Sequence, residues 1–220
     1  VRPDMALSNR TITYVDGDNN TNHTPVGTPD FALVVLWTLD GEVQPTGYTY
    51  GGSAMTEIAG QADGPGGRWI RAWYHESPAA GEQSVSPTNA SWEPSQLCVI
   101  TWSGAAATGL RDITILDSQG SATFGEVSVD SAEGDDIVGV FINTSAGTVT
   151  GGTGATVQGQ SDLVDIGQAS VATKAGAATS TSIGVSWSGS QEWAAIGFSV
   201  QPAGGGGGGS SPLLKILLSH

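Results

Sequence analysis

The residues that could support acid–base or nucleophilic chemistry do not combine into a recognisable catalytic motif. Of the three histidines, only His75 lies in a segment typical of a strand interior. Its neighbour Glu76 would point to the opposite face of that strand, because successive side chains alternate. No Gly-x-Ser-x-Gly sequence, the usual setting of a serine nucleophile in one large class of hydrolases, occurs in the chain. We therefore predict that the protein is not an enzyme.

Acidic residues are frequent enough to raise the alternative of a sandwich-fold glycan hydrolase or lyase. Glycosidases use two carboxylates placed across the scissile bond. The candidates are Glu57, Glu76, Glu93, Glu126 and Asp130. Their spacing selects no pair, and solvated turns and strand faces explain most of them. This alternative therefore depends on the carboxylates alone.

Asp16, Asp18 and Asn20 alternate as the first ligands of a calcium loop do. However, Thr21 stands where such a loop has glycine, and the downstream glutamate is missing. A turn stabilised by Asp and Asn side chains is favoured over a structural Ca²⁺ site. No other cofactor is predicted.

Seven tryptophans are many for 220 residues, and an indole face can stack on a sugar ring. Trp69, Trp73 and Trp92 are the candidate ligand-binding residues, and Trp92 lies in the most turn-like segment. Trp102 lies in an apolar strand and is predicted to belong to the core. A secreted carbohydrate-binding module is therefore an alternative function, and the exposure of Trp92 would test it.

The formal net charge is −14, from seven basic and 21 acidic residues. Such a charge repels phosphate backbones, so we predict no nucleic-acid partner, and it disfavours anionic ligands in general. The apolar runs 31–39 and 212–218 are too short to span a bilayer, so no membrane span is predicted. The single cysteine, Cys98, is predicted to be a buried strand residue.

Alternating hydrophobicity and regularly spaced turn residues predict about a dozen short strands, which is typical of an antiparallel β-sandwich. Residues 68–76 carry large aromatic side chains on both faces, so neither face is plainly exposed to water. The predicted core residues are Val35, Trp37, Ile70, Tyr74, Val99, Val140, Trp187 and Ile196. The sandwich domain is assigned to residues 1–203.

The C-terminal residues differ in composition from the rest of the chain. Residues 204–211 form a flexible Gly/Ser linker by composition, and residues 212–220 form an apolar anchoring tail. The tail residues expected to make contacts are Leu213, Leu214, Ile216, Leu217 and Leu218. We expect the tail to dock onto another chain, as an added strand or as a short helix. The alternative is that it folds back on its own sandwich.

Several short segments form an ordered set of landmarks along the chain. They are residues 33–35 (LVV), 48–56 (YTYGGSAMT), 73–81 (WYHESPAAG), 99–104 (VITWSG), 174–176 (KAG), 186–188 (SWS) and 193–198 (WAAIGF). Their order resembles a largely uncharacterised family of β-sandwich proteins from environmental bacteria and their phages, over about residues 10–202. The segment 75–77 departs from that family. The resemblance implies a jelly-roll or concanavalin-like fold and an extracellular or virion setting, and it implies no reaction.

These features together predict a non-enzymatic structural or assembly protein. The predicted role is that of a phage virion component, such as a capsid decoration or fibre subunit, attached through the C-terminal tail. Its partners would be other protein subunits, in a homo-oligomer or a capsid or fibre lattice, with a glycan as a further candidate. The predicted location is the virion surface or the extracellular space.

Overall fold

All regular structure in the described chain is β-strand. A computed structural model describes residues 7–39, 45–58, 60–89, 95–144, 147–163, 167–204 and 214–217. The strands in these ranges are β1 (Ser8–Asp16), β2 (Thr21–His23), β3 (Phe31–Leu39), β4 (Tyr48–Tyr50), β5 (Ser53–Ala54), β6 (Thr56–Glu57), β7 (Ala62–Gly64), β8 (Arg68–Glu76), β9 (Gln83–Pro87), β10 (Gln96–Ser103), β11 (Ala105–Ser131), β12 (Asp136–Asn143), β13 (Thr150–Gly151), β14 (Thr156–Leu163), β15 (Gly167–Ala175), β16 (Thr179–Pro202) and β17 (Leu214–Leu217). The predicted all-β class is confirmed for these residues. None of them belongs to a helix that is long and apolar enough to cross a membrane.

The strands form three sheets. The central sheet has the order β1-β10-β3-β8-β6, and β7 also pairs with β8. The long sheet has the order β14-β15-β12-β16-β11-β17, and β13 also pairs with β16. The small sheet has the order β2-β9-β4-β5. Among the described pairs, only that of β11 with β17 is parallel.

The largest apolar core lies between the central and long sheets, which gives a sandwich-like arrangement. Residues that alternate along β3 and β8 supply one side, and residues of β12 and β16 supply the other. Trp37 is fully buried there, and its Nε1 donates a hydrogen bond of 3.1 Å to the carbonyl oxygen of Phe141. This contact joins the two sheets by a polar bond inside an otherwise apolar core.

The predicted core is largely confirmed. The predicted residues that the structure buries are Val35, Trp37, Ile70, Val99, Val140, Trp187 and Ile196. Tyr74 is only half-buried, because its ring stacks on Phe31 at the margin of the core. Cys98 is fully buried, and burial raises the pKa of its thiol well above the ordinary value.

The small sheet covers the other face of the central sheet. The cluster between them contains Ala32, Val34, Leu36, Tyr48, Tyr50, Met55, Trp73, Val85, Leu97 and Val99. The central sheet is thus apolar on both faces, which accounts for the aromatic residues on both sides of β8. The landmark segment 48–56 supplies part of this cover.

β11 and β16 pair as one long two-stranded ribbon that bends back over the outer face of the long sheet, although β12 to β15 lie between them in the sequence. The ladder changes register at three points between Leu116 and Phe124, and such irregularities bend a strand. Beyond the bend lies the ribbon arm, which consists of residues 122–131 and 179–187. Its apolar residues pack against the outward-facing side chains of β12, β15 and the second half of β16.

Two glycines allow the ribbon arm to approach the long sheet closely. Gly139 and Gly197 are cross-strand partners on β12 and β16. A Cβ atom on Gly139 would lie 2.9 Å from Cγ2 of Ile183, and one on Gly197 would lie 2.9 Å from Cγ1 of Val129. Both distances are too short for a side chain, so glycine is required for the observed packing.

The backbone of the predicted tail forms an edge strand of its own chain. β17 runs parallel to β11, with Leu214 opposite Ile113 and Leu217 opposite Leu116. This geometry corresponds to the alternative in which the tail folds back. Residues 205–213 and 218–220, which include most of the predicted linker together with Leu213 and Leu218, lie outside the described residues.

Candidate functional site

A cleft of about 370 Å³ opens where β1 of the central sheet meets the ends of β12, β14 and β15 of the long sheet. Its lining residues are Leu7, Asn9, Arg10, Trp102, Gly134, Asp135, Asp136, Gly154, Thr156, Thr173, Lys174 and Ala175. Asp136 begins β12, Thr156 begins β14 and Ala175 ends β15, so three neighbouring strands terminate at this place. A volume of this size suits a small organic molecule.

Asp136 occupies the inner side of the cleft. Nη1 of Arg10 donates to both of its carboxylate oxygens at 2.7 Å, and Nε1 of Trp102 donates to Oδ2 at 2.7 Å. The side chains of Arg10 and Asp136 remain 29% and 14% exposed. The carboxylate therefore accepts three hydrogen bonds from two donor nitrogens, and Arg10 uses only one of its nitrogens in these bonds.

Asp135 also lines the cleft, but its carboxylate is held by a separate network. It accepts hydrogen bonds from Nε and Nη2 of Arg111, from the amide of Ala132 and from Oγ of Ser199. Its side chain is fully buried. The hydrogen bond to Asp135 raises the pKa of Arg111, which favours the charged form of the guanidinium.

Asn9 lies at the margin of the cleft with an unusual backbone. Its φ angle is +50°, one of three positive values at non-glycine residues in the described chain. It also falls at the register shift between Ser8 and Thr11 on β1. Irregularities of this kind redirect a side chain and are concentrated near binding sites.

The candidate catalytic residues do not form a dyad. Nδ1 of His75 lies 2.7 Å from the backbone carbonyl oxygen of Glu76, and the carboxylate of Glu76 is exposed. Glu57 instead forms an ion pair with Arg71. Glu126 and Asp130 are exposed on β11, and Glu93 lies outside the described residues. The structure therefore brings together no two of the candidate carboxylates that it describes.

The candidate stacking tryptophans are covered. Trp69 is 5% exposed and Trp73 is fully buried, so neither presents a free indole face. Arg71 lies between them, with its guanidinium carbon 5.9 Å and 5.3 Å from the two ring centres. Trp102 is buried as predicted. Trp92 lies outside the described residues, and its exposure stays a prediction.

The segment that resembles a calcium loop forms a polar turn. Oδ1 of Asp18 accepts hydrogen bonds from the amides of Asn19 and Asn20 and from Nδ2 of Asn20. Asp16 accepts from Nε2 of Gln96 at 3.5 Å. In the described chain, no three His, Cys, Asp or Glu residues are grouped so as to hold a metal ion. These contacts favour the turn interpretation of Asp16, Asp18 and Asn20.

His23 is a buried titratable side chain that lies outside the cleft. It belongs to β2 and is fully buried, with Nδ1 2.8 Å from Oγ1 of Thr13 and Nε2 2.9 Å from Oγ1 of Thr101. Burial lowers its pKa to about 4. The imidazole is therefore neutral near pH 7, and it is paired only with hydroxyl groups among the described residues.

No protein-family model, curated protein or solved structure matches this chain.

No pattern in the sequence indicates the cleft residues. Arg10 and Asp136 are 126 positions apart, so no local motif connects them. The acidic segment 130–136 is the one visible signal, and such a segment is more typical of an ordinary turn. Trp102 was assigned to the core, which is correct, but its indole nitrogen also faces the cleft carboxylate.

Proposed function

We propose that the protein is a non-enzymatic structural module that assembles with further copies of itself through its C-terminal tail. The observation that supports this proposal is the parallel pairing of Leu214–Leu217 with residues Ile113 to Leu116 of β11. Without β17, this part of β11 would be the edge of the long sheet. An unpaired edge offers a row of backbone donors and acceptors to any strand that can reach it.

The length of the connection between β16 and β17 allows either the same chain or a neighbouring copy to supply that strand. Pro202 pairs with Ala105, whereas Leu214 lies beside Ile113, which pairs with Phe198. Four residues along a strand and two strand spacings across the sheet give a separation of about 17 Å. The twelve Cα steps from residue 202 to residue 214 can extend to about 40 Å. The tail can therefore close the edge of its own chain or reach that of a neighbour.

The chemistry of the candidate residues agrees with a non-enzymatic role. The imidazole of His75 is bonded to a backbone carbonyl and the described carboxylates are dispersed. We further infer, from the sequence resemblance, a jelly-roll or concanavalin-like sandwich at a virion surface or in the extracellular space. A capsid decoration or fibre subunit is the role that this setting favours.

Shortening the connection tests the exchange of the tail. Removal of residues 205–211 leaves five Cα steps, or about 17 Å when fully extended, so closure within one chain becomes strained. We expect this variant to form dimers or larger assemblies, as hinge shortening promotes strand swapping. Light scattering coupled to size-exclusion chromatography measures the mass. Deletion of residues 205–220 is expected to leave a folded monomer.

The matched control replaces glycines 205–209 by serine, which keeps the length and should leave the mass distribution close to that of the parent chain. A shortened variant that stays monomeric at high concentration would show that the tail does not exchange. Normal assembly of the variant without residues 205–220 would show that the tail is not the anchor.

A further inference from the structure

The charged residues that line the cleft balance one another. Arg10 and Lys174 are its basic residues, and Asp135 and Asp136 are its acidic ones. Asp136 is paired with Arg10, and Asp135 is fully buried in an ion pair of its own. The ammonium of Lys174 is turned away, because it donates to the carbonyl oxygen of Ser182 on the outer side of the long sheet. The cleft therefore has no surplus charge, which favours an uncharged ligand even though the whole protein carries −14.

Polar side chains of the long sheet converge on the cleft from three neighbouring strands. Val138 of β12 belongs to the core between the two sheets, and its cross-strand partner is Thr173 of β15. Thr173 is in turn the partner of Thr156 of β14. Cross-strand partners share a face of a sheet, and so do residues two apart on one strand. Asp136, Thr173 and Thr156 therefore all face the central sheet, where Arg10 meets Asp136.

These groups and those of the central sheet have hydrogen-bonding capacity to spare. Nη1 of Arg10 is used on Asp136, but its Nε and Nη2 bond to no other group within the described ranges. The side chains of Asn9 and Thr156 also have no hydrogen bond to another described residue. Asp136 accepts three hydrogen bonds, and a carboxylate can accept about four. Spare donors and a spare acceptor thus lie in one cleft, beside the apolar side chain of Leu7.

We infer that the cleft binds a neutral monosaccharide unit. A sugar hydroxyl both donates and accepts hydrogen bonds, so it matches a cleft that offers both and has no surplus charge. Arg10 and Asn9 donate to hydroxyl oxygens, Asp136 and Thr156 accept from hydroxyl hydrogens, and Leu7 contacts the C–H groups of the ring. The volume of about 370 Å³ admits one such ring. The site is separate from the edge of β11 that β17 occupies, so it does not depend on assembly through the tail.

NMR titration of the ¹⁵N-labelled full chain with the methyl glycosides of glucose, galactose and mannose tests this inference. At least one glycoside should cause saturable amide shifts, at millimolar concentration, that centre on Asn9, Arg10, Asp136 and Thr156. Cyclohexanol has a six-membered ring but a single hydroxyl group, so it should bind at least about tenfold more weakly than that glycoside. Glucuronate and glucosamine should gain nothing from their charges and bind no more tightly than the neutral sugar.

Two variants remove single polar groups from the cleft without touching the ion pair of Arg10. Thr156→Val removes a hydroxyl group, and Asn9→Gly removes the side-chain amide while glycine still accepts the φ angle of +50°. Each should weaken sugar binding by about threefold. Thr123→Val is the matched control, since Thr123 is exposed near the bend of β11, at the end of the long sheet opposite the cleft. It should leave the affinity unchanged.

Three results would each overturn the inference. The first is that none of the glycosides causes a saturable shift at the cleft amides. The second is that a charged sugar binds more than about tenfold more tightly than the neutral ones, because the cleft would then select charge. The third is that Thr156→Val and Asn9→Gly both bind the sugar like the parent chain.

Discussion

The layer that the long sheet packs on the central sheet is almost wholly aliphatic, whereas the small sheet brings two tyrosines and a buried histidine to the opposite face. The first face presents residues such as Leu33, Val35 and Ile70. The second packs against Tyr48 and Tyr50 of the small sheet. The same strands supply both faces, because alternate residues point to opposite sides.

The difference lies in what covers each face. The long sheet has seven strands and covers one face of the central sheet with apolar side chains, while the small sheet has four short strands. Beneath the small sheet, the hydroxyl of Tyr50 and Nε1 of Trp73 are buried without a partner in the described chain, whereas Nε1 of Trp37 on the first face is satisfied. We therefore expect apolar packing to dominate the stability of the face against the long sheet. Hydrogen bonding and protonation should contribute more to the stability of the face beneath the small sheet.

Trp37→Ala should have the largest effect on stability. Trp37 is fully buried between the sheets, so its removal leaves a large cavity and breaks the hydrogen bond to the carbonyl oxygen of Phe141. A loss of about 3–5 kcal/mol in the free energy of unfolding is expected, measured by urea denaturation. The loss should be the same at about pH 7 and about pH 5, because no titratable group of the described chain contacts the indole nitrogen. A loss below about 1.5 kcal/mol would mean that the two sheets repack without the indole.

Acidification should weaken the other face through His23. In the folded chain burial lowers its pKa to about 4, below the ordinary value of 6.5. As the pH falls from 6.5 toward 4, the unfolded chain takes up a proton that the folded chain does not, so stability is lost over that range. The contribution is absent above pH 6.5 and amounts to about 3 kcal/mol at most.

Urea denaturation of the parent chain and of His23→Gln across that range isolates this contribution, because glutamine retains hydrogen-bonding groups but does not titrate. The parent should lose more stability on acidification than the variant. His75→Gln is the matched control, since His75 is only half-buried, and it should keep the slope of the parent. Parallel pH profiles for the parent chain and His23→Gln would show that the buried imidazole is not the cause.

The sequence allowed the core between the central and long sheets to be predicted more fully than the face beneath the small sheet. Val35, Trp37 and Ile70 stand in runs whose alternation and branching already indicate buried strands. The Asn and Thr residues around His23 are more typical of a polar loop than of a buried strand. Only the tertiary fold brings Thr101 of a distant strand over its ring and buries it.

The long ribbon of β11 and β16 and the cleft could not be predicted for a different reason. Regularly spaced turn residues predict short strands, but bulges carry the pairing of β11 and β16 through the bend, so these strands are 27 and 24 residues long. Bulges interrupt the period of two on which strand prediction depends. The cleft is formed by strand ends that are far apart in sequence. Glycine is required at positions 139 and 197 only because the ribbon arm lies above them.

The smallest expected effect compares two buried tyrosines of β4 that differ in one hydrogen bond. The hydroxyl of Tyr48 donates to the carbonyl oxygen of Asn19 at 2.9 Å, whereas that of Tyr50 has no partner in the described chain. Burial raises the pKa of Tyr50 to about 12, and burial together with the charge of Asp18 raises that of Tyr48 well above its ordinary value, so both phenols are neutral. Tyr48→Phe should cost about 1 kcal/mol, because it removes a satisfied hydrogen bond. Tyr50→Phe should be neutral or stabilise the fold by up to about 1 kcal/mol, because a buried hydroxyl without a partner is unfavourable. Urea denaturation of the two variants beside the parent chain measures the difference, and equal costs at both positions would mean that the small-sheet face depends on packing alone.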